Sequence, residues 1–182
     1  MKKQRDNYTF LTHAPVHRVI VSMAVPTIIS MLVTSIYGMV DTYYVGQINT
    51  QSTAAVGISF SIMTIIQAIG FFFGHGSGNY ISRMLGAKRT DEAKYMAATG
   101  LVGSVTFGLA VAVVGLAFLS DICIFLGSTE TILPYTERYL GIILVGAPFM
   151  TGAFTLNNQM RFQGNAKYAM YGILSGVVLN VV

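Results

Sequence analysis

The residue of this chain that is best suited to bind or transfer an ion is Asp41, which lies inside a long apolar run. The sequence carries no other Asp, Glu, Lys or Arg between Arg18 and Arg83. A carboxylate at the centre of a bilayer costs about 2.5–3.5 kcal/mol on insertion scales. Because burial disfavours the ionised form of a carboxylate, such a group can exchange a proton or hold a monovalent cation. The alternative is an interfacial aspartate whose carboxylate lies among the lipid headgroups.

The spacing of polar residues around Asp41 favours an ion-binding site over an interfacial aspartate. Thr27, Ser30, Thr34, Tyr37 and Asp41 follow one another at intervals of three or four residues. That spacing places them along one face of a helix. Hydroxyl side chains alone are also typical of ordinary hydrogen bonding between membrane helices. With the acid and the tyrosine on the same line, the pattern indicates a hydrated cavity beside the helix.

The composition predicts the elements that must position this face. Only 10% of the 182 residues are charged and 53% are hydrophobic, whereas soluble domains carry about 25% charged residues. A bilayer is crossed by about 20 apolar residues. Residues 1–18 form a polar N-terminal segment, and residues 19–182 form a bundle of membrane spans. The predicted spans are 19–46, 53–82, 95–119, 136–160 and 168–182, and the last one stops in mid-run. We therefore expect the chain to be part of a longer protein.

The basic residues predict the orientation of the bundle. Ten of the eleven Lys and Arg residues precede span one or follow spans two and four, and Arg138 is the exception. Cytoplasmic loops carry an excess of Lys and Arg. The N-terminus is therefore expected in the cytoplasm, and the positive charge needs no nucleic-acid partner.

Several amides and thioethers in the spans are candidate ligand contacts. Asn157 lies near the inner end of span four, where it would contact a ligand or form an interhelical hydrogen bond. Asn180 interrupts the fifth run and would pair with Asp41 if spans one and five are neighbours. Met31 and Met63 add flexible side chains that suit ligands of varied shape.

The sequence carries no recognisable catalytic or metal-binding set. Gly70, Gly74 and Gly78 form small-xxx-small steps that let helices pack closely, and they match no nucleotide-binding pattern. Cys123 is the single cysteine, which excludes an internal disulfide. We therefore expect no enzyme activity, no metal and no cofactor other than a coupling ion.

Three segments together resemble the MATE family of multidrug and toxic-compound extrusion transporters, in its DinF-like prokaryotic branch. They are "VPTIISMLVTSIYGMVDTYYVGQI", "ISRMLGAKRTDEA" and the N-x-x-x-R-x-Q-G-N pattern of residues 157–165. The resemblance implies an all-α membrane protein with twelve helices in two six-helix lobes. This chain would supply helices one to four and most of helix five of the N-terminal lobe. Helix six and the C-terminal lobe of the same polypeptide would be missing.

The resemblance also implies roles for individual residues. Asp41 and Asn180 match the proton- or cation-binding pair of the N-terminal lobe. Tyr37 and Asn157 match polar positions of the cavity. A second ion-site acid of the family would follow Asn180 by four residues, beyond Val182. The predicted substrate cavity comprises Tyr37, Asn157, Thr34, Ser30, Met31 and Met63.

The function implied is export of cationic or amphipathic drugs, driven by inward H⁺ or Na⁺ flow across the inner membrane of a prokaryote. One alternative is a lipid-linked oligosaccharide flippase of the same superfamily, whose cavity would need basic residues. Another is a membrane subunit that transports nothing. The expected partners are membrane lipid, small toxic organic cations and the missing C-terminal lobe.

Overall fold

The computed structural model describes residues 9–181, and side chains through residue 178. All the regular structure in this part of the chain is helical, which confirms the predicted all-α class. A short helical segment over residues 9–13 comes first. The helices that follow are α1 (Val16–Ile48), α2 (Thr50–Gly86), α3 (Thr90–Ala117), α4 (Leu119–Phe125), α5 (Leu133–Phe162) and α6 (Ala166–Val181). By length and composition, α1, α2, α3 and α5 can each cross a membrane.

The helices extend beyond most of the predicted spans because backbone hydrogen bonding continues past the hydrocarbon until a cap ends it. At the turn between α1 and α2, the Asn49 side chain accepts a hydrogen bond of 2.6 Å from the Ser52 N–H and caps α2. Asparagine is among the preferred residues at this position. The two long helices are therefore joined by one extended residue.

A helix that the sequence did not predict, α4, lies between the predicted spans 95–119 and 136–160. Cys123 of α4 is fully buried against Leu140 and Leu144 of α5, and Leu119 and Ile122 pack on the same cluster. Burial of this apolar face stabilises a helix of only seven residues, which would be marginal in isolation.

A tight three-helix core is formed by α2, α3 and α5. A Cβ atom added to Gly70 or Gly74 would lie 2.6 Å or 2.8 Å from the Cβ atoms of Phe154 and Asn158, and one on Gly78 would overlap Phe162. The contacting residue numbers rise together by four along both helices, which shows that α2 and α5 run parallel. Close approach through the glycine stripe is thereby confirmed.

A seam of polar side chains runs through the same core. Thr155 Oγ1 lies 2.7 Å from Ser104 Oγ of α3 and 3.1 Å from the Gly70 carbonyl oxygen of α2. One turn later, the Gln159 side-chain amide donates to Ser77 Oγ at 2.9 Å and to the Ala97 carbonyl at 3.1 Å. These bonds join all three helices at a depth where water cannot satisfy a polar group.

Helices α1 and α6 form a second layer against this core. α1 packs chiefly on α6 and also on α2, while α6 packs on α5. Since α2 packs on α5, the four helices α1, α2, α5 and α6 form a circuit, which we call the four-helix circuit. α1 and α5 lie across it from each other, and α3 packs on the opposite side of the α2–α5 pair.

Candidate functional site

Asp41 lies seven residues before the end of α1 and is half-buried. On the same face, Ser30 is 1% exposed and Tyr37 is half-buried, whereas Met31 is 62% exposed and Met39 is 73% exposed. The polar stripe of α1 is therefore turned mostly toward the neighbouring helices, with Thr34 as its exposed member.

The hydroxyl groups of this stripe bond to their own helix. Thr27, Ser30 and Thr34 donate to the carbonyl oxygens of the residues four positions earlier, at 2.8–2.9 Å. This uses the hydroxyl protons and leaves oxygen lone pairs free. A ligand or cation beside these residues would therefore meet acceptors.

Two phenol groups lie near enough to the Asp41 carboxylate to feel its charge. Tyr37 comes from the preceding turn of α1, and Tyr139 comes from the first turns of α5, across the four-helix circuit. Both lie close enough for the charge on Asp41 to act on them. Tyr139 is half-buried and was not predicted from the sequence. A tyrosine at the start of an apolar run gives no local signal, and its significance depends on how α1 and α5 face each other.

Asn180, the predicted partner of Asp41, is a residue of α6 whose side chain lies outside the described part of the structure. The packing of α6 against α1 is nevertheless established. The condition set for this pairing, that the first and fifth spans are neighbours, is therefore met.

Asn157 lies far from Asp41, at the other end of the bundle. Its amide donates to the Ala169 carbonyl oxygen of α6 at 2.9 Å, and its oxygen accepts from Arg161 Nε at 3.0 Å. It follows Tyr139 by five helical turns on the same face of α5, which is about 27 Å along the axis. The structure therefore gives Asn157 an interhelical contact and does not bring it beside Asp41.

The two predicted methionines differ in burial. Met31 is largely exposed on α1, and Met63 is half-buried on α2. The described residues hold no group of three His, Cys, Asp or Glu side chains that could bind a metal ion. The groups near Asp41 comprise one carboxylate and two phenols, a chemistry that suits a proton or a small monovalent cation.

Comparison with known proteins gives matches to one family of transporters. A family model described as MatE matches residues 26–182. The multidrug export protein MepA of Staphylococcus aureus (strain MRSA252) is 33% identical over 129 residues, which are 71% of this chain and 29% of that protein. MepA of Staphylococcus haemolyticus (strain JCSC1435) is 34% identical over 129 residues, covering 71% and 28%. The chain therefore spans less than a third of these relatives.

Solved structures share the fold. The crystal structure of a MATE P26A mutant superposes with a TM-score of 0.89 at 25% identity, covering 96% of this chain and 39% of that one. A MOP superfamily transporter from Pyrococcus furiosus, for which reversed polarity of the binding pocket suggests a different function, gives 0.84 at 26% identity, covering 90% and 36%. These relatives and neighbours are transporters rather than enzymes.

Proposed function

Because this chain belongs to the MatE family, we propose that it forms part of a multidrug exporter driven by an H⁺ or Na⁺ gradient. The observation that carries this proposal is the position of Asp41. It is a half-buried carboxylate on a mostly inward-facing stripe of α1, near enough to Tyr139 of α5 for its charge to act on that phenol. The names of the bacterial relatives support drugs as the substrates.

The coupling follows from the charge of Asp41. An ionised carboxylate at membrane depth needs a counter-charge or hydrogen-bond donors. Binding of H⁺ or Na⁺ neutralises it and removes the charge that acts on the phenols of Tyr37 and Tyr139. Its interaction with α5 therefore differs between the two states. A ligand shifts a conformational equilibrium only by such a difference, so ion binding would bias α1 toward one of two positions.

The substrate would occupy the four-helix circuit beside the α1 stripe. Ser30 and Thr34 offer hydroxyl oxygens, and Tyr37 offers an aromatic face to a cationic or amphipathic compound. The N-terminus would lie in the cytoplasm of a prokaryotic cell, as the distribution of basic residues indicates. The rest of the transporter would complete the cavity.

The flippase alternative lacks a supporting observation. Phosphate recognition would call for basic side chains in the cavity. Within α5, Arg138 is exposed, and Arg161 already donates its Nε–H to Asn157. The described face around Asp41 is acidic and phenolic.

The test uses the complete transporter in proteoliposomes loaded with ethidium, with an H⁺ or Na⁺ gradient imposed across the vesicle membrane. We expect ethidium movement to depend on one of these gradients and to stop when an ionophore collapses it. Ethidium movement that neither gradient changes would contradict the proposed coupling. The absence of any protein-dependent movement would favour a subunit that transports nothing.

A further inference from the structure

Gln67 is a half-buried amide in the middle of α2. It lies about 25 Å along the helix axis from Thr50, at a rise of 1.5 Å per residue. Among the described residues its side chain has no hydrogen-bond partner. An amide at this depth requires one, because the hydrocarbon offers none.

The packing of α2 fixes the direction in which Gln67 faces. Phe73 contacts α3, where its ring lies 5.3 Å from that of Phe107. Gly70 and Gly74 contact α5. Successive residues are 100° apart around the helix. Going round α2 from Phe73 past Gly70 and Gly74, one reaches Gln67 and then Phe71. These two side chains therefore lie past the α5 contact, on the side of α2 away from α3.

That side of α2 faces the four-helix circuit. On α5, Asn157 bonds to α6, and on the same helix Thr151 donates to the Ser104 carbonyl of α3 at 3.0 Å. Helices α3 and α6 therefore lie on opposite sides of the α2–α5 pair. Since Gln67 points away from α3, it borders the space shared with α1 and α6.

The residues one turn before and after Gln67 share its face. They are Met63, a half-buried thioether, and Phe71, whose ring is 39% exposed and packs edge-on against Phe154 with centroids 5.8 Å apart. An amide thus lies between a flexible apolar side chain and an accessible aromatic ring. This combination can hold a flat aromatic compound and hydrogen-bond to a polar group on it.

We propose that Met63, Gln67 and Phe71 form a substrate-selecting subsite for aromatic cations that carry amino or carbonyl groups. This inference rests on the proposed function. Phe71 and Met63 would contact the ring system, and the Gln67 amide would hydrogen-bond to the polar substituent. Gln67 would then distinguish compounds by their hydrogen-bonding groups, independently of the ion bound at Asp41.

The test measures equilibrium binding to the complete transporter in nanodiscs, without any ion gradient. Ethidium carries two aromatic amino groups, whereas tetraphenylphosphonium is an aromatic cation without a hydrogen-bonding group. We expect Gln67→Leu to raise the ethidium Kd about tenfold, the value of one well-formed hydrogen bond. The tetraphenylphosphonium Kd should stay within about twofold, and Phe71→Ala should weaken both probes.

Gln51→Leu, an exposed glutamine in the first turn of α2, is the matched control and should bind both probes as the parent does. If Gln67→Leu fails to fold, Gln67→Met makes the same test with an unbranched side chain. Unchanged ethidium affinity, or equal loss of both probes, would overturn the subsite. Because no gradient is used, this result is separate from failure of the coupling, which gradient-driven export reports.

Discussion

The side-chain amide of Asn157 donates a hydrogen bond of 2.9 Å to the main-chain carbonyl oxygen of Ala169. This bond links the end of α5 to the first turns of α6. The same asparagine accepts a bond from Arg161, which fixes its orientation. Because α6 also packs against α1, Asn157 connects the helix that carries Asp41 to the three-helix core.

Replacing Asn157 by alanine should loosen the start of α6. Interhelical hydrogen bonds in membranes contribute about 0.6 kcal/mol on average, so amide exchange in the first turns of α6 should become about threefold faster. Hydrogen–deuterium exchange of the purified protein measures this. Asn79→Ala, at an exposed position of α2, is the control. Equal exchange in both variants would show that the Asn157 bond does not hold α6.

Thr155→Val should destabilise the three-helix core. The valine keeps the shape but removes the oxygen that lies between Ser104 and Gly70, leaving two buried groups without that partner. We expect a loss of about 1–2 kcal/mol in unfolding free energy. Unfolding of the detergent-solubilised protein gives the value. Thr64→Val, at an exposed threonine bonded only within its own helix, should change it little, and equal effects would contradict the role of the seam.

Gly74→Val should disrupt the contact of α2 with α5, since the added Cβ would lie 2.8 Å from Asn158 Cβ and 3.2 Å from Thr155 Cα. Overpacking of this kind costs about 1–3 kcal/mol. Gly76→Val is the matched control on the same helix, because a Cβ there meets no atom within 4 Å. Thermal unfolding should separate the two variants, and similar melting temperatures would contradict the close packing.

Cys123 should react slowly with maleimide at neutral pH. Burial, together with the negative charge of Glu137, raises the pKa of its thiol above the ordinary value, so less of the reactive thiolate is present at pH 7. The labelling rate should rise only at alkaline pH. In the double variant Cys123→Ser, Ile124→Cys, the thiol occupies an exposed position of α4 and should react much faster. Equal rates at pH 7 would contradict the burial of Cys123.

The sequence predicted the features that depend on local patterns. Hydropathy located the long helices. The spacing of five residues predicted one face of α1, and the fold turns it inward except at Thr34; the five are Thr27, Ser30, Thr34, Tyr37 and Asp41. Features that depend on tertiary contacts were not predicted. Tyr139 lies near Asp41 only because of how α5 and α1 are placed in the fold, and no local sequence pattern encodes that placement.

Helix α4 was missed for a similar reason. Its seven residues are too few for a clear period, and it is stabilised by the burial of Cys123 against Leu140 and Leu144. For Asn157, the sequence left a ligand contact and an interhelical bond open. Only the position of Ala169 shows that the bond is made.

We propose that Asp41 couples the ion gradient to export, and Asp41→Asn in the complete transporter tests this role most directly. Gradient-driven ethidium export by proteoliposomes is measured with equal amounts of inserted protein, alongside Asp121→Asn, which neutralises an exposed acid of α4. We expect Asp41→Asn to abolish gradient-driven export while Asp121→Asn exports as the parent does. Undiminished gradient-driven export by the Asp41→Asn protein would contradict the account.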